Sequence, residues 1–276
     1  MADHTIAPAS THTHTIIFLH GRSSTATEFA SELFESQASN ELTLPQLLPN
    51  FKWVFPTSKL RLTSRFNEVH SSWFDLWSLE DIQERSELQI DGLKESIAQV
   101  LEVVHRETAQ VGGQYDRVFL AGISQGCATA IHALFQDGVR LGGFIGLCSW
   151  LPFQKEVEEC GKKKSPTEIL AALRRTVPSL SEAENIDVKA GETALDTPVF
   201  LSYSADDDIV PMRHGEALCR DLKAVGMNVE WKQYPDGGHW VNEPLGVDDI
   251  VAFIDGCVRR ERLCSDQTGI AADPFD

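Results

Sequence analysis

The chain has 276 residues, 42% of them hydrophobic, and a formal net charge of −17 at pH 7. That length and apolar content supply enough core for one domain, and the negative balance argues against nucleic acid or an anionic membrane as electrostatic partners. No apolar run reaches the length of a membrane span, so no stable membrane insertion is expected. The 6 cysteines contain no C-x-x-C pair, which reads as reduced thiols in a cytoplasmic protein.

In chain order, residues 1–14 are polar and read as an N-terminal tail without the basic-then-apolar pattern of a leader. His4, His12 and His14 have no carboxylate or thiol companions there, so no metal is assigned. The body is expected over 15–264, and a second polar tail over 265–276. Thr15–His20 and Trp53–Pro56 are short β-branched and aromatic runs that read as strands. Residues 57–72 show no strong period. Leu88–His105 then places Ile90, Leu93, Ile97, Leu101 and Val104 on one helical face.

A further strand at Arg117–Ala121 runs into Gly122-Ile123-Ser124-Gln125-Gly126, after which the pattern is Ala-rich and helical. A serine on a sharp strand-to-helix turn is pushed out of the sheet, and the flanking glycines avoid collisions with the neighbouring strand and helix. The pattern is that of a nucleophile elbow. Gly142–Ser149 reads as another strand. Beyond it, Ser165-Pro166-Thr167-Glu168 has the S-x-x-E capping pattern with Pro at the first helical position. Ile169, Leu170, Leu173 and Val177 then share one face of a short helix that Pro178 ends, and the acidic stretch Ser179–Asp196 reads as a mobile loop.

Val199–Tyr203 is an apolar strand that ends at Asp206, Asp207 and Asp208, three acids at the carboxyl edge of a parallel sheet. Met212–Val225 reads as a helix. Val229–Tyr234 alternates like a strand and runs into Gly237-Gly238-His239, a loop able to swing an imidazole over the sheet, and Val247–Arg260 closes the body as a helix. The order serine, acid, histidine suits a hydrolase of this build. Strands separated by helices define an α/β class, with no internal repeat and no coiled-coil heptads.

Six ordered blocks carry a family resemblance: Ile17–Gly21, Ser72–Asp75, Arg117–Gly126, Cys148–Pro152, Asp207–Pro211 and Gly238-His239. With them the chain resembles the acyl-protein thioesterase group of the phospholipase/carboxylesterase family. The resemblance implies an α/β-hydrolase fold, a mostly parallel central sheet flanked by helices, and a catalytic set of Ser124, Asp207 and His239. It selects Asp207 among the three acids by its spacing to the Val-Pro pair, leaving Asp206 and Asp208 as solvated turn residues. The backbone amides of Gln125 and Arg22 are the implied oxyanion donors, and no cofactor is implied.

Several positions depart from the family pattern. Arg22-Ser23-Ser24-Thr25 replaces a Gly-rich acidic loop, so that Arg22 places a cation at the acyl entrance, and Tyr203-Ser204 replaces a His-Gly pair. The segment of about 153–197 is a longer insertion than usual and is expected to form a small lid whose Ile169 and Leu173 meet the acyl chain. Trp73, Phe74 and Leu151, in the matching blocks, are candidate acyl-binding residues, with Trp77 a further wall. The expected activity is hydrolysis of thioesters or esters, foremost on an acylated protein, as in a palmitoyl-protein hydrolase. The alternative is a carboxylesterase or lysophospholipase acting on a small acyl ester or secondary metabolite. A non-catalytic binder is disfavoured because all three catalytic residue types are intact.

Overall fold

The computed structural model describes residues 3–177 and 192–268. Its strands in chain order are β1 (His4–Ile6), β2 (His14–Leu19), β3 (Phe51–Phe55), β4 (Lys59–Leu62), β5 (Val69–Ser72), β6 (Val118–Ile123), β7 (Gly143–Leu147), β8 (Val199–Ser204) and β9 (Val229–Tyr234). Seven of them form one sheet in the order β1-β3-β2-β6-β7-β8-β9, parallel except for the antiparallel edge strand β1. The sequence had marked residues 1–14 as a tail. Instead β1 pairs with β3, and the amides of Ser10 and Thr13 donate to the carbonyls of Pro49 and Asn50.

The helices are α1 (Ala26–Leu33), α2 (Leu44–Leu47), α3 (Gln89–Gln110), α4 (Gln125–Asp137), α5 (Gln154–Cys160), α6 (Pro166–Leu173), α7 (Met212–Ala224) and α8 (Leu245–Thr268). They cover both sheet faces, which is why β2, β6, β7 and β8 are buried at every position rather than alternating with exposed residues. The two faces nonetheless sort by the strand period of two. On β2, Ile17 and Leu19 enter one core with α3 and α4, whereas Ile16 and Phe18 enter the other with α1 and α8. On β6, Val118 and Leu120 go to the first core, and Phe119, Ala121 and Ile123 go to the second. The result is a layered α/β sandwich whose parallel strands all point their carboxyl ends toward one edge.

Residues 57–72, aperiodic in sequence, fold as the antiparallel hairpin β4–β5 beside the main sheet. The last helix continues to Thr268, past Ser265, where a polar tail had been expected.

The insertion corrects a second expectation. Ser165 caps α6 through its hydroxyl, which accepts the Glu168 amide at 3.2 Å, but the Glu168 carboxylate takes the Lys164 amide at 3.1 Å, so the capping box is only half formed. Leu170, Leu173 and Val177 are buried in the main core, where α6 lies against α4 and α5. Arg174 ties the end of the helix to the Asp137 carbonyl at 2.7 Å. That segment is a wall of the body. Most of the acidic stretch read as a loop, residues 179–191 of it, lies outside the described residues, as does Pro178.

Candidate active site

Ser124 stands between β6 and α4 with φ 54° and ψ −126°, a backbone conformation costly for a residue with a side chain, of order 1–3 kcal/mol. The turn is held from both sides. Its amide donates to the Leu147 carbonyl at 2.9 Å, and its own carbonyl accepts the Ser149 hydroxyl at 2.7 Å. A Cβ at Gly122 would strike the Cys127 backbone, and one at Gly126 would strike the carbonyls of Leu19 and His20. Gln125 is the first residue of α4, so its amide has no intrahelical acceptor and points its dipole at the serine end.

The acid and the imidazole arrive on the loops after β8 and β9. Asp207 Oδ2 lies 2.8 Å from His239 Nδ1, and Asp207 Oδ1 accepts the amides of Ile209 and Val210 at 2.9 and 3.0 Å. Burial opposes ionisation of this carboxyl, but the His239 hydrogen bond and the two amides outweigh it and hold its pKa below the ordinary value. Gly237 and Gly238 both have positive φ, and a Cβ on Gly237 would come 2.7 Å from the Ser204 hydroxyl, so this turn requires glycine. The Gly238 amide donates to Asp206 Oδ1 at 2.8 Å, so Asp206 is not merely a solvated turn residue: it pins the loop one residue before His239.

Tyr203, one of the departures noted in the sequence, donates its hydroxyl to the Val210 carbonyl at 2.6 Å and thereby closes the acid loop on itself. Behind the pair, Cys148 completes a grouping with Asp207 and His239 whose possible ligand atoms lie within 4.8 Å of one another. Burial, and then Asp207, push the Cys148 thiol far above its ordinary pKa. A protonated thiol is a poor metal ligand.

Ser124 and His239 open into a cleft of about 320 Å³, together with Arg22 and Gln125. Its apolar wall comes from Phe29, Leu76, Leu79, Trp150, Ile209 and Trp240, residues from five separate stretches of chain. Among the described residues none of the five expected acyl-binding residues lines this cleft. Trp73 is fully buried and donates its indole N–H to the His20 carbonyl at 2.8 Å, supporting the loop that carries Arg22. The Gln125 side chain accepts the Trp73 amide at 3.0 Å and donates to the Phe74 carbonyl at 2.7 Å, so the Ser72–Asp75 block is a clamp on the elbow helix. Phe74 and Leu151 are core residues, and Leu173 with the partly buried Ile169 packs on the body. Trp77 lines a recess adjoining the cleft.

His20 is fixed as a neutral imidazole: Nδ1 lies 2.7 Å from the Gly21 carbonyl, and Nε2 accepts the Ser58 amide at 3.2 Å. Burial lowers its pKa in keeping with that role. The loop after β2 is thus anchored through a ring and an indole.

A parallel sheet with a strained serine between strand and helix, and an imidazole–carboxylate pair on the later loops, defines the α/β-hydrolase class. The phospholipase/carboxylesterase family model matches residues 2–179, and the chain belongs to that family. An acyl-protein thioesterase 1 of Gibberella zeae is 28% identical over 89% of this chain and 91% of its own length. The carboxylesterase SOBER1 of Arabidopsis thaliana is 27% identical over 92% of each chain. Among solved structures, the acyl-protein thioesterase 2 of Zea mays superposes with a TM-score of 0.68 at 26% identity, covering 93% of this chain and 98% of that one.

Proposed function

We propose that the protein is a serine hydrolase of carboxylic thioesters and esters, with Ser124 as nucleophile, His239 as general base and Asp207 as the group that orients it. The observation that carries this reading is the His239–Asp207 contact of 2.8 Å at the cleft that the strained Ser124 lines. An unaided serine hydroxyl is too weak an acid to attack a carbonyl, so His239 Nε2 takes its proton as the Oγ–carbon bond forms. Asp207 holds the Nδ1–H tautomer and stabilises the imidazolium. The oxyanion falls to the amides of Gln125 and Arg22, each such donor contributing about 3 kcal/mol of transition-state stabilisation. Collapse expels the thiolate or alkoxide, which receives the proton from His239. Water then repeats the sequence on the acyl-serine and releases a carboxylic acid.

The names of the thioesterase relatives support an acylated protein as substrate, and the carboxylesterase name supports a small acyl ester as the second reading. Five free, buried cysteines among the described residues suit a reducing, cytoplasmic setting. No described helix is long and apolar enough to cross a membrane. A fluorophosphonate probe with peptide mapping tests the core of the proposal: label on Ser124, lost in Ser124→Ala together with esterase activity, is the expected outcome. Label elsewhere, or activity surviving in Ser124→Ala, would overturn it. Activity should persist in EDTA, since the mechanism assigns no step to a metal.

A further inference from the structure

We infer that the Arg22 guanidinium is the specificity-determining group of this cleft, and that it receives a carboxylate or phosphate carried by the ester or thioester substrate. The inference rests on the hydrolase reading above and names the substrate class for that same site. Arg22 lines both the cleft that holds Ser124 and His239 and a neighbouring recess of about 270 Å³, so it stands where the two join. Leu76 and Leu79 are common to both and give the junction an apolar wall.

In a chain of formal charge −17, the linings of the cleft and the recess together carry two arginines, Arg22 and Arg65, against two acids, Glu32 and Glu80. Among the described residues no carboxylate lies within 4.0 Å of the Arg22 guanidinium, and no hydrogen bond reaches it. A second cation, Arg65, enters the recess and spends its hydrogen bonding on the Trp77 carbonyl at 2.8 Å while lying over the Phe66 ring. The recess has one carboxylate in its lining, Glu80, and it is already paired with Arg213. Asp75 acts on Arg22 only from beyond ion-pair distance and accepts the Ser64 amide at 3.1 Å. Glu32 of α1, the acid in the cleft lining, is likewise outside ion-pair reach of Arg22.

A half-buried guanidinium beside apolar walls interacts more strongly with an anion than one in open water, and its fork matches a carboxylate or phosphate in two hydrogen bonds. Because the Arg22 amide is a proposed oxyanion donor, the side chain is tethered next to the reacting carbonyl. The substrate anion therefore sits within one arginine side chain's reach of the scissile bond, on either the acyl or the leaving-group part.

Two matched substrate pairs separate those sources. On the acyl side, p-nitrophenyl monoesters of adipic and suberic acid are compared with neutral p-nitrophenyl esters of equal chain length. On the leaving-group side, S-butyryl glutathione is compared with S-butyryl N-acetylcysteamine. The readout is the ratio of kcat/KM for anionic over neutral substrate in wild type, Arg22→Met and Arg22→Lys, with active sites counted by fluorophosphonate labelling. Arg22→Met is expected to lower this ratio by about ten- to a hundredfold in one of the two pairs, the loss typical of a charged hydrogen-bonding partner, and Arg22→Lys to restore part of it. A ratio unchanged in both pairs overturns the inference while leaving the hydrolase reading intact. Failure of the wild type to cleave any of the neutral esters would instead sink the hydrolase reading itself.

Discussion

His239 Nδ1 and Asp207 Oδ2 meet at 2.8 Å, and the other oxygen of that carboxylate is saturated by two backbone amides of its own loop. The acid is therefore locked before any substrate arrives. Asp207→Asn is expected to keep the loop but present an amide to Nδ1, favouring the wrong imidazole tautomer and lowering kcat by about 10³ to 10⁴. Asp206→Asn keeps an oxygen for the Gly238 amide and should stay within about tenfold of wild type. Steady-state kinetics on a short p-nitrophenyl ester decide the matter, and a larger loss in Asp206→Asn than in Asp207→Asn would move the catalytic acid by one residue.

Tyr203→Phe removes one oxygen from the acid loop. Burial, and then Asp207, raise the pKa of this phenol, so the hydroxyl remains a donor, and its loss strands the Val210 carbonyl. Leaving a buried acceptor unpaired costs about 1–3 kcal/mol. A urea midpoint should fall accordingly, and kcat should fall several-fold with KM little changed, because the loop positions Asp207 rather than substrate. A rise in KM at constant kcat would contradict that division.

His132 on α4 contributes to the pH dependence of stability, alongside other histidines whose pKa burial lowers, such as His20 and His214. Its ring is fully buried, Nε2 lies 2.9 Å from the Pro152 carbonyl, and burial lowers its pKa from 6.5 to about 4. Between those values the unfolded chain binds the proton and the folded one does not, so unfolding free energy rises with pH across this window. The neutral ring's stabilisation is present above 6.5 and is lost as pH falls toward about 4, by on the order of 3 kcal/mol. His132→Gln can still donate to the Pro152 carbonyl but cannot titrate. The drop in Tm between pH 7.5 and pH 5 should be smaller in this variant, and an equal drop would remove His132 as a cause.

The sequence made the six predicted strands and the elbow legible because each has a local cause: an apolar run buried in the sheet, the alternation of the half-exposed edge strand β9, or two glycines forced by close backbone approach. Hairpin β4–β5 was not legible, since Leu60, Leu62 and Val69 are exposed and no buried face imposes a period. The cleft wall was also hidden. Phe29, Trp150, Ile209 and Trp240 come together only through the topology, and Trp240 sits 5.6 Å from Phe29 across more than two hundred residues. Conversely, Trp73 and Phe74 belong to a recognisable block, yet the block serves to grip Gln125. A motif states that residues are needed, and only the fold states for what.

The insertion shows the same limit and yields the last prediction. An apolar stripe on a capped helix demands an apolar partner, but nothing in the stripe distinguishes a bound acyl chain from the protein's own core. In the structure that partner is α4, α5 and their surroundings, with Leu173 1% exposed. Leu173→Ala should therefore destabilise the fold by about 2–5 kcal/mol, the range for emptying a buried leucine site. The ratio of kcat/KM for long over short p-nitrophenyl esters, measured well below the melting temperature, should stay as in wild type, because the residue lies away from the cleft. Selective loss of long-chain activity with stability preserved would return the helix to the role of a lid. In contrast, Leu79→Ala, on the cleft wall, should weaken the ester whose chain crosses it, each methylene that loses its apolar neighbour costing up to about 0.8 kcal/mol.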